Sequence, residues 1–181
     1  MQSILDVLVI GGGINGAGIV NDAVKRGLTV ALCEQYDFGY GASTATSKLV
    51  HGGLRYLENY QFRLVNESIN ERNILLKNAP HLVKPLKFYV PLFKHSKWKM
   101  WKMRAGLTLY DWMQTDRLLP KHAVVNKFNL SNEIPWLNMD ELVGAVSYYD
   151  AQMEDHRIII ELLLMAQKNG TVIHNYSKVV N

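Results

Sequence analysis

Apolar residues over the first 34 positions change their spacing twice, and those changes predict a strand, a helix and a second strand. Ile4-Leu5-Asp6-Val7-Leu8-Val9-Ile10 is a short, nearly continuous, β-branched run. Such a run suits a strand buried on both faces of a parallel sheet. After three glycines, Ile14, Ala17, Val20 (or Ile19), Ala23 and Val24 recur with helical period. Lys25 and Arg26 fall in the last turn, where cations favour the helix dipole, and Gly27 is placed to end it. Residues 28–32 read as a second apolar strand closing on Glu34. Near the other end, residues 158–166 predict a helix with Asp155 as N-cap and Gly170 as its stop. Residues 171–176 read as a strand, a second helix–strand pair returning to the first sheet.

The connection between the first strand and helix carries chemistry. Gly11-Gly12-Gly13-Ile14-Asn15-Gly16 satisfies the G-x-G-x-x-G spacing. Gly11 permits a tight turn, Gly13 lets a pyrophosphate approach the backbone, and Gly16 lets the helix lie close on the sheet. The helix N-terminus then offers free N–H groups to phosphate. Glu34 ends the second strand, where a carboxylate can accept from a ribose diol and would repel a 2′-phosphate. A lone glycine motif is weak evidence, but strand, helix, strand and terminal acid together mark a dinucleotide-binding βαβ unit. At this point FAD and NAD remain equally open.

Composition changes the picture in two places. With 181 residues, 48% hydrophobic and 20% charged, the chain is ordinary globular material, enough for one domain or part of a larger one. The single cysteine, Cys33, excludes an internal disulfide and reads as a small buried hydrophobe. No basic leader opens the chain and glycines break the first apolar stretch, so a cytoplasmic location is the expectation. Charge is uneven: of 20 Lys and Arg, nine lie from Arg72 to Tyr110, where there is no Asp or Glu. That leaves 11 basic against 16 acidic residues elsewhere, an acidic body with one basic segment. In residues 94–104 the bases alternate with Trp and Met, which suits either a lipid interface or a lysine-rich face with inward-packed aromatics. No recognition motif supports nucleic-acid binding, and the histidines lack ligand spacing, so no metal site is expected.

The segment after Glu34 decides between cofactors. Gly41-Ala42-Ser43-Thr44-Ala45-Thr46-Ser47-Lys48 is hydroxyl-rich and suits phosphate or ribitol oxygens. Leu49-Val50-His51-Gly52-Gly53-Leu54-Arg55-Tyr56-Leu57-Glu58 follows. Its glycines allow approach to a flat ring, and His51 and Arg55 would share a face if helical. On these residues alone, a polar surface loop is an equal reading. Together with Phe62-Arg63-Leu64-Val65, Ala79-Pro80-His81-Leu82, Tyr110-Asp111, Tyr149-Asp150 and Asp155-His156-Arg157, however, the chain resembles the FAD-dependent glycerol-3-phosphate dehydrogenases. These belong to the D-amino-acid-oxidase-like flavoproteins, and the likeness spans nearly the whole chain. Ala42, where relatives usually carry Thr, and Glu154 and His156 around Asp155 depart from that pattern.

The resemblance implies an α/β fold: a Rossmann-like FAD-binding portion at 1–60 and 145–181, with a mainly helical, basic insertion at 61–144. Gly11, Gly13, Asn15, Gly16 and Glu34 would bind the ADP half of FAD. Ser43, Ser47, Lys48 and Leu49 would line the path to the flavin, which His51 and Gly53 would approach. Arg55 and Tyr56 would hold the substrate phosphate, and His51 is the candidate base. The implied reaction is oxidation of sn-glycerol 3-phosphate to dihydroxyacetone phosphate, electrons passing to a membrane quinone. Full members carry a capping region and a C-terminal segment that completes the pocket, so this chain reads as an N-terminal part, truncated relative to them, and whether it is active alone stays open. Peripheral contact of 94–104 with the inner membrane face and homo-oligomerisation stay open. Two alternatives stand beside this: an amine-oxidising flavoprotein of the same group, and a non-catalytic nucleotide- or membrane-binding module.

Overall fold

The computed structural model describes residues 4–43, 45–114, 116 and 118–180. The chain divides into two units, Met1–Lys48 with Met153–Asn181, and Leu49–Gln152.

The first unit is built on a parallel sheet ordered β1-β2-β7, from β1 (Val7–Ile10), β2 (Val30–Cys33) and β7 (Val172–His174). Val9 lies opposite Leu32 and Leu32 opposite Ile173, which brings Val7, Val9, Val30, Leu32 and Ile173 to one face. Helices α1 (Ile14–Lys25) and α5 (Asp155–Lys168) cover that face and each other. The core there is Val9, Ala17, Val20, Leu32, Ile159 and Leu163. Val20 rather than Ile19 supplies the inward side chain, since Val20 is fully buried and Ile19 is 53% exposed. Gly27 (φ +84°) and Gly170 (φ +94°) follow α1 and α5 as left-handed stops, as their spacing predicts.

Two expectations are corrected here. The first apolar run predicts a strand buried on both faces, but the strand is only Val7–Ile10, and Leu8 and Ile10 are 48% and 68% exposed. The reason is that both helices cover the Val9 side. Asp155 is not the N-cap: Glu154 holds that position without a side-chain bond, and Asp155 begins α5. Its buried carboxylate instead accepts from Thr46 Oγ1 at 2.6 Å and from its neighbour's N–H at 2.9 Å.

The second unit holds β3 (Leu49–Val50), a 3-10 helix (Leu54–Asn59), α2 (Phe62–Asn78), β4 (Val83–Phe93), α3 (Met100–Met113), β5 (Ala123–Val125), α4 (Lys127–Glu133) and β6 (Leu142–Met153). Its sheet runs β3-β6-β4, with β5 also paired to β6. The β3–β6 and β5–β6 pairs are antiparallel, with Leu49 opposite Gln152 and Ala123 opposite Ser147. Beside three helices, the segment 61–144 thus carries two strands that hydrophobic periodicity leaves unread. Strand β4 contains Pro85 and Pro91, which argue against a central strand; it lies at the sheet's edge, where proline is tolerated. Val65, Ile69 and Tyr110 form one core cluster of this unit, and Leu92, Leu107 and Val146 another.

Candidate functional site

Groups suited to a dinucleotide converge beyond the C-terminal ends of β1 and β2. Gly11, at φ +111°, turns the chain out of β1 while its N–H donates to the Cys33 carbonyl at 2.9 Å. Gly16 cannot carry a side chain, because a Cβ there would overlap the Gly11 carbonyl oxygen. The Glu34 carboxylate folds back over this turn. Oε2 accepts from the Gly12 N–H at 2.7 Å and Oε1 from the Tyr36 N–H at 2.8 Å. Each oxygen keeps a second acceptor site, which a ribose hydroxyl could use.

Ser43 Oγ accepts the N–H of Ile14 at 3.0 Å, so the hydroxyl-rich loop reaches the N-terminus of α1. The place is one where an anion is favoured by both the exposed N–H groups and the dipole. Asn15 lies exposed in the first turn of α1. Next to the turn is a cavity of about 300 Å³, lined by Gly11, Cys33, Glu34, Gln35, Ser177 and Lys178 among others. Cys33 is therefore half-buried at a cavity wall, not the fully buried hydrophobe its apolar run predicts. Ser177 and Lys178 carry no signal of this place in the sequence. Their polar stretch after β7 carries no motif; the parallel pairing of β7 with β2, continued by the Ser177 N–H donating to the Glu34 carbonyl at 2.7 Å, brings it here. Further along the loop, Lys48 takes φ +57° and its ammonium lies 3.9 Å from Glu154. Ser47 is exposed, and Thr44 lies outside the described residues.

The second unit carries the His51 segment. Here the chain leaves β3, makes its turn at Gly52-Gly53, and enters the 3-10 helix at Leu54. Its support is a buried polar cluster. Asp150 Oδ1 accepts from the Gly52 N–H at 2.7 Å, from Arg72 Nη1 at 2.6 Å and from the Tyr110 hydroxyl at 3.2 Å. Arg72 also donates to the Tyr110 oxygen at 2.9 Å and to Gln114 Oε1 at 3.2 Å. Burial, reinforced by the Asp150 charge, pushes the Tyr110 hydroxyl far above its ordinary range. The same two causes raise Tyr148 to about 12. A Cβ on Gly52 would overlap the Tyr110 hydroxyl and lie 2.8 Å from Arg72 Nη1, so only glycine fits over this cluster.

His51 is exposed, with its ring 6.0 Å from that of Tyr56 in an edge arrangement. It lines a cavity of about 400 Å³ with Val50, Leu64, Glu67, Ser68 and Glu71. Arg55 lines a different one, of about 270 Å³, with Trp98, Lys102 and Met103. The shared helical face considered for the two is thus absent, since the helix begins only after His51. Nothing local in the sequence marks the Arg72–Asp150 pair, because an Arg inside an amphipathic helix usually reads as solvated. Of the basic segment's aromatics, Trp98 is half-buried, whereas Trp101 is 67% exposed. Among the described residues no helix is long and apolar enough to cross a membrane.

Comparison with known proteins matches residues 6–181 to the family model described as FAD dependent oxidoreductase. The chain is 42% identical over 172 residues to a glycerol-3-phosphate dehydrogenase of Synechocystis sp., covering 94% of this chain and 31% of that protein. It is also 42% identical over 181 residues to one from Pseudomonas aeruginosa, covering 100% of this chain and 34% of that protein. Among solved structures, the glycerol-3-phosphate dehydrogenase of Bacillus halodurans complexed with FAD superposes with a TM-score of 0.71 at 30% identity. That match covers 99% of this chain and 28% of the other. The chain therefore spans about a third of the length of the curated relatives it matches.

Proposed function

Because the chain belongs to the FAD dependent oxidoreductase family, we propose that it forms the cofactor-binding part of a flavin-linked dehydrogenase. The reaction assigned to it is oxidation of sn-glycerol 3-phosphate to dihydroxyacetone phosphate, with electrons passed on to a quinone. The observation that carries the cofactor is the meeting of Glu34, the Gly11–Gly16 turn and Ser43 around the N-terminus of α1. The substrate rests on the 42% identity to proteins named for it.

In this reading Gly11, Gly13, Asn15 and Gly16 bring backbone to the pyrophosphate, and Glu34 accepts from the adenosine ribose. Ser43, Ser47, Lys48 and Leu49 line the way to the flavin, beside which His51 and Gly53 belong. When bound, the flavin supplies the hydride acceptor. The protein's own contribution is position and charge. The Arg72–Asp150–Tyr110 cluster fixes the backbone beneath His51, leaving its imidazole free to take a hydroxyl proton. Arg55 presents a planar cationic fork to the substrate phosphate, with Tyr56 beside it. The exposed Trp101 and the lysines of 94–104 fit a peripheral contact with anionic lipid.

The test is a visible absorption spectrum of the purified chain after FAD addition and gel filtration, followed by anaerobic addition of glycerol 3-phosphate. Retained flavin bands that bleach with substrate are expected. Retained bands that bleach with an amino acid instead would move the assignment to the amine-oxidising branch.

A further inference from the structure

The hydroxyl-rich loop is tied to both helices of the first unit. Ser43 fastens its start to α1 by accepting the Ile14 N–H. Its end is fastened to α5 by a charged group. Thr46 Oγ1 donates to Asp155 Oδ2 at 2.6 Å and accepts the Lys48 N–H at 2.9 Å. The Lys48 carbonyl in turn accepts the Met153 N–H at 2.8 Å. Both backbone polar groups of Lys48 are thereby engaged while the residue takes φ +57°, a left-handed conformation disfavoured for a side chain with a Cβ. A residue stays in such a conformation only where its surroundings determine it. All of these groups belong to one unit.

The direction of these bonds is fixed by chemistry. An ionised carboxylate only accepts, and Asp155 uses both oxygens: Oδ1 takes the His156 N–H at 2.9 Å while Oδ2 takes the Thr46 hydroxyl. The single Thr46 proton is committed to Asp155, so the Thr46 oxygen is left to accept from Lys48. Asp155 is buried, whereas Thr46, Ser47 and Lys48 are exposed. A buried charge thus shapes a surface loop. We propose that Asp155 is a positioning residue for the flavin half of the cofactor. Acting through Thr46, it holds Lys48 in the left-handed conformation and so presents Ser47 and Lys48 to the phosphate and ribityl oxygens, while touching no ligand itself. The inference rests on the reading above that Ser47, Lys48 and Leu49 line the way to the flavin, and adds the group that keeps them there. The adenosine half has separate support, since the Glu34 bonds to the Gly12 and Tyr36 N–H groups do not pass through Thr46.

The full chain is titrated by equilibrium dialysis with FAD and with ADP, which lacks the flavin half, for the parent, Thr46→Val, Thr46→Ser and Asp155→Asn. The parent is expected to bind FAD more tightly than ADP. Thr46→Val keeps the shape and removes the hydroxyl; it is expected to weaken FAD about tenfold, the weight of one hydrogen bond to a charged group, and to leave ADP within about twofold. Asp155→Asn gives the same split, because one amide oxygen cannot accept from both Thr46 and His156. Thr46→Ser restores the hydroxyl and with it the parent's affinity for FAD. If Asp155→Asn does not fold, Thr46→Val, at an exposed position, carries the test. FAD and ADP weakened alike would show a merely structural role and overturn the inference. So would a Thr46→Val or a folded Asp155→Asn chain that keeps the parent's preference for FAD. A parent that binds FAD no more tightly than ADP overturns instead the reading of residues 47–49 as the flavin path, and the inference with it.

Discussion

Arg72 and Asp150 form a fully buried ion pair, Nη1 to Oδ1 at 2.6 Å, and the same carboxylate oxygen accepts the backbone N–H of Gly52 at 2.7 Å. One acid thus ties α2, β6 and the His51 turn together from beneath. The arrangement explains why a buried charge is kept in a unit with an apolar core available to it: the carboxylate holds a backbone that must stay in place.

Removing one partner of such a pair leaves a buried charge uncompensated, at a cost of about 3–5 kcal/mol. Asp150→Asn and Arg72→Met are each expected to lower stability by that order in urea denaturation. The double variant should cost much less than their sum, because neither charge is then stranded. Simple additivity would show that the two groups do not act as a pair.

Gly52→Ala tests the same cluster from the side of the turn. The added methyl meets the Tyr110 hydroxyl, Arg72 Nη1 and Ile69, and overpacking of this kind costs about 1–3 kcal/mol. A melting temperature equal to the parent's would mean the turn yields freely. The position would then not explain why glycine stands there.

The first unit was largely legible in the sequence because its signals are local. The apolar runs, the helical spacing of Ala17, Val20 and Ala23, the stops at Gly27 and Gly170, and Glu34 at the end of β2 all lie within a few residues of what they control. What could not be read depends on pairings far apart in the chain. The parallel partnership of Cys33 with His174 carries Lys178 to the cavity beside Gly11 and Glu34, and no residue near Lys178 announces it. In the second unit, Arg72 and Asp150 are 78 positions apart, and each looks like a surface charge in its own element. His51 and Arg55 illustrate the opposite error. Their four-residue spacing suggests a common face, but the left-handed Gly53 (φ +77°) intervenes and sends them to different cavities.

Glu34 should decide cofactor affinity. Glu34→Gln keeps the shape and removes the charge that strengthens hydrogen bonds from ribose hydroxyls, an effect of about 1.5–3 kcal/mol for a charged acceptor. A tenfold or greater weakening of FAD binding is expected by equilibrium dialysis, with the far-ultraviolet dichroism spectrum unchanged. An unaltered dissociation constant would place the ribose elsewhere.

Arg55 and His51 should separate in kinetics, since one is assigned to binding and the other to proton transfer. In a flavin-loaded preparation reducible by glycerol 3-phosphate, Arg55→Ala is expected to raise KM at least tenfold, with a smaller change in the limiting rate of flavin reduction. His51→Asn is expected to depress that limiting rate and leave KM within a few-fold. An unchanged KM in the first variant, or an unchanged reduction rate in the second, would remove the corresponding role.

Tyr148 makes the second unit sensitive to alkali. Its hydroxyl is raised from the ordinary tyrosine value of 10.0 to about 12, first by burial and then by the Asp150 charge. Its ring stacks on Phe88 at 5.3 Å and meets Tyr110 edge-on at 6.4 Å. Between those two values the unfolded chain loses the proton before the folded one does. The folded state then binds more protons, and stability falls as pH rises. The contribution is whole below pH 10 and disappears toward pH 12. Tyr110 is shifted in the same direction and steepens the loss. Unfolding free energies from urea titrations should therefore decline from pH 10 upward by an amount on the order of 1–2 kcal/mol for Tyr148. Tyr148→Phe should flatten the decline without abolishing it, because Tyr110 remains. Equal slopes for parent and variant would mean that Tyr148 ionises in the folded chain as readily as in the unfolded one.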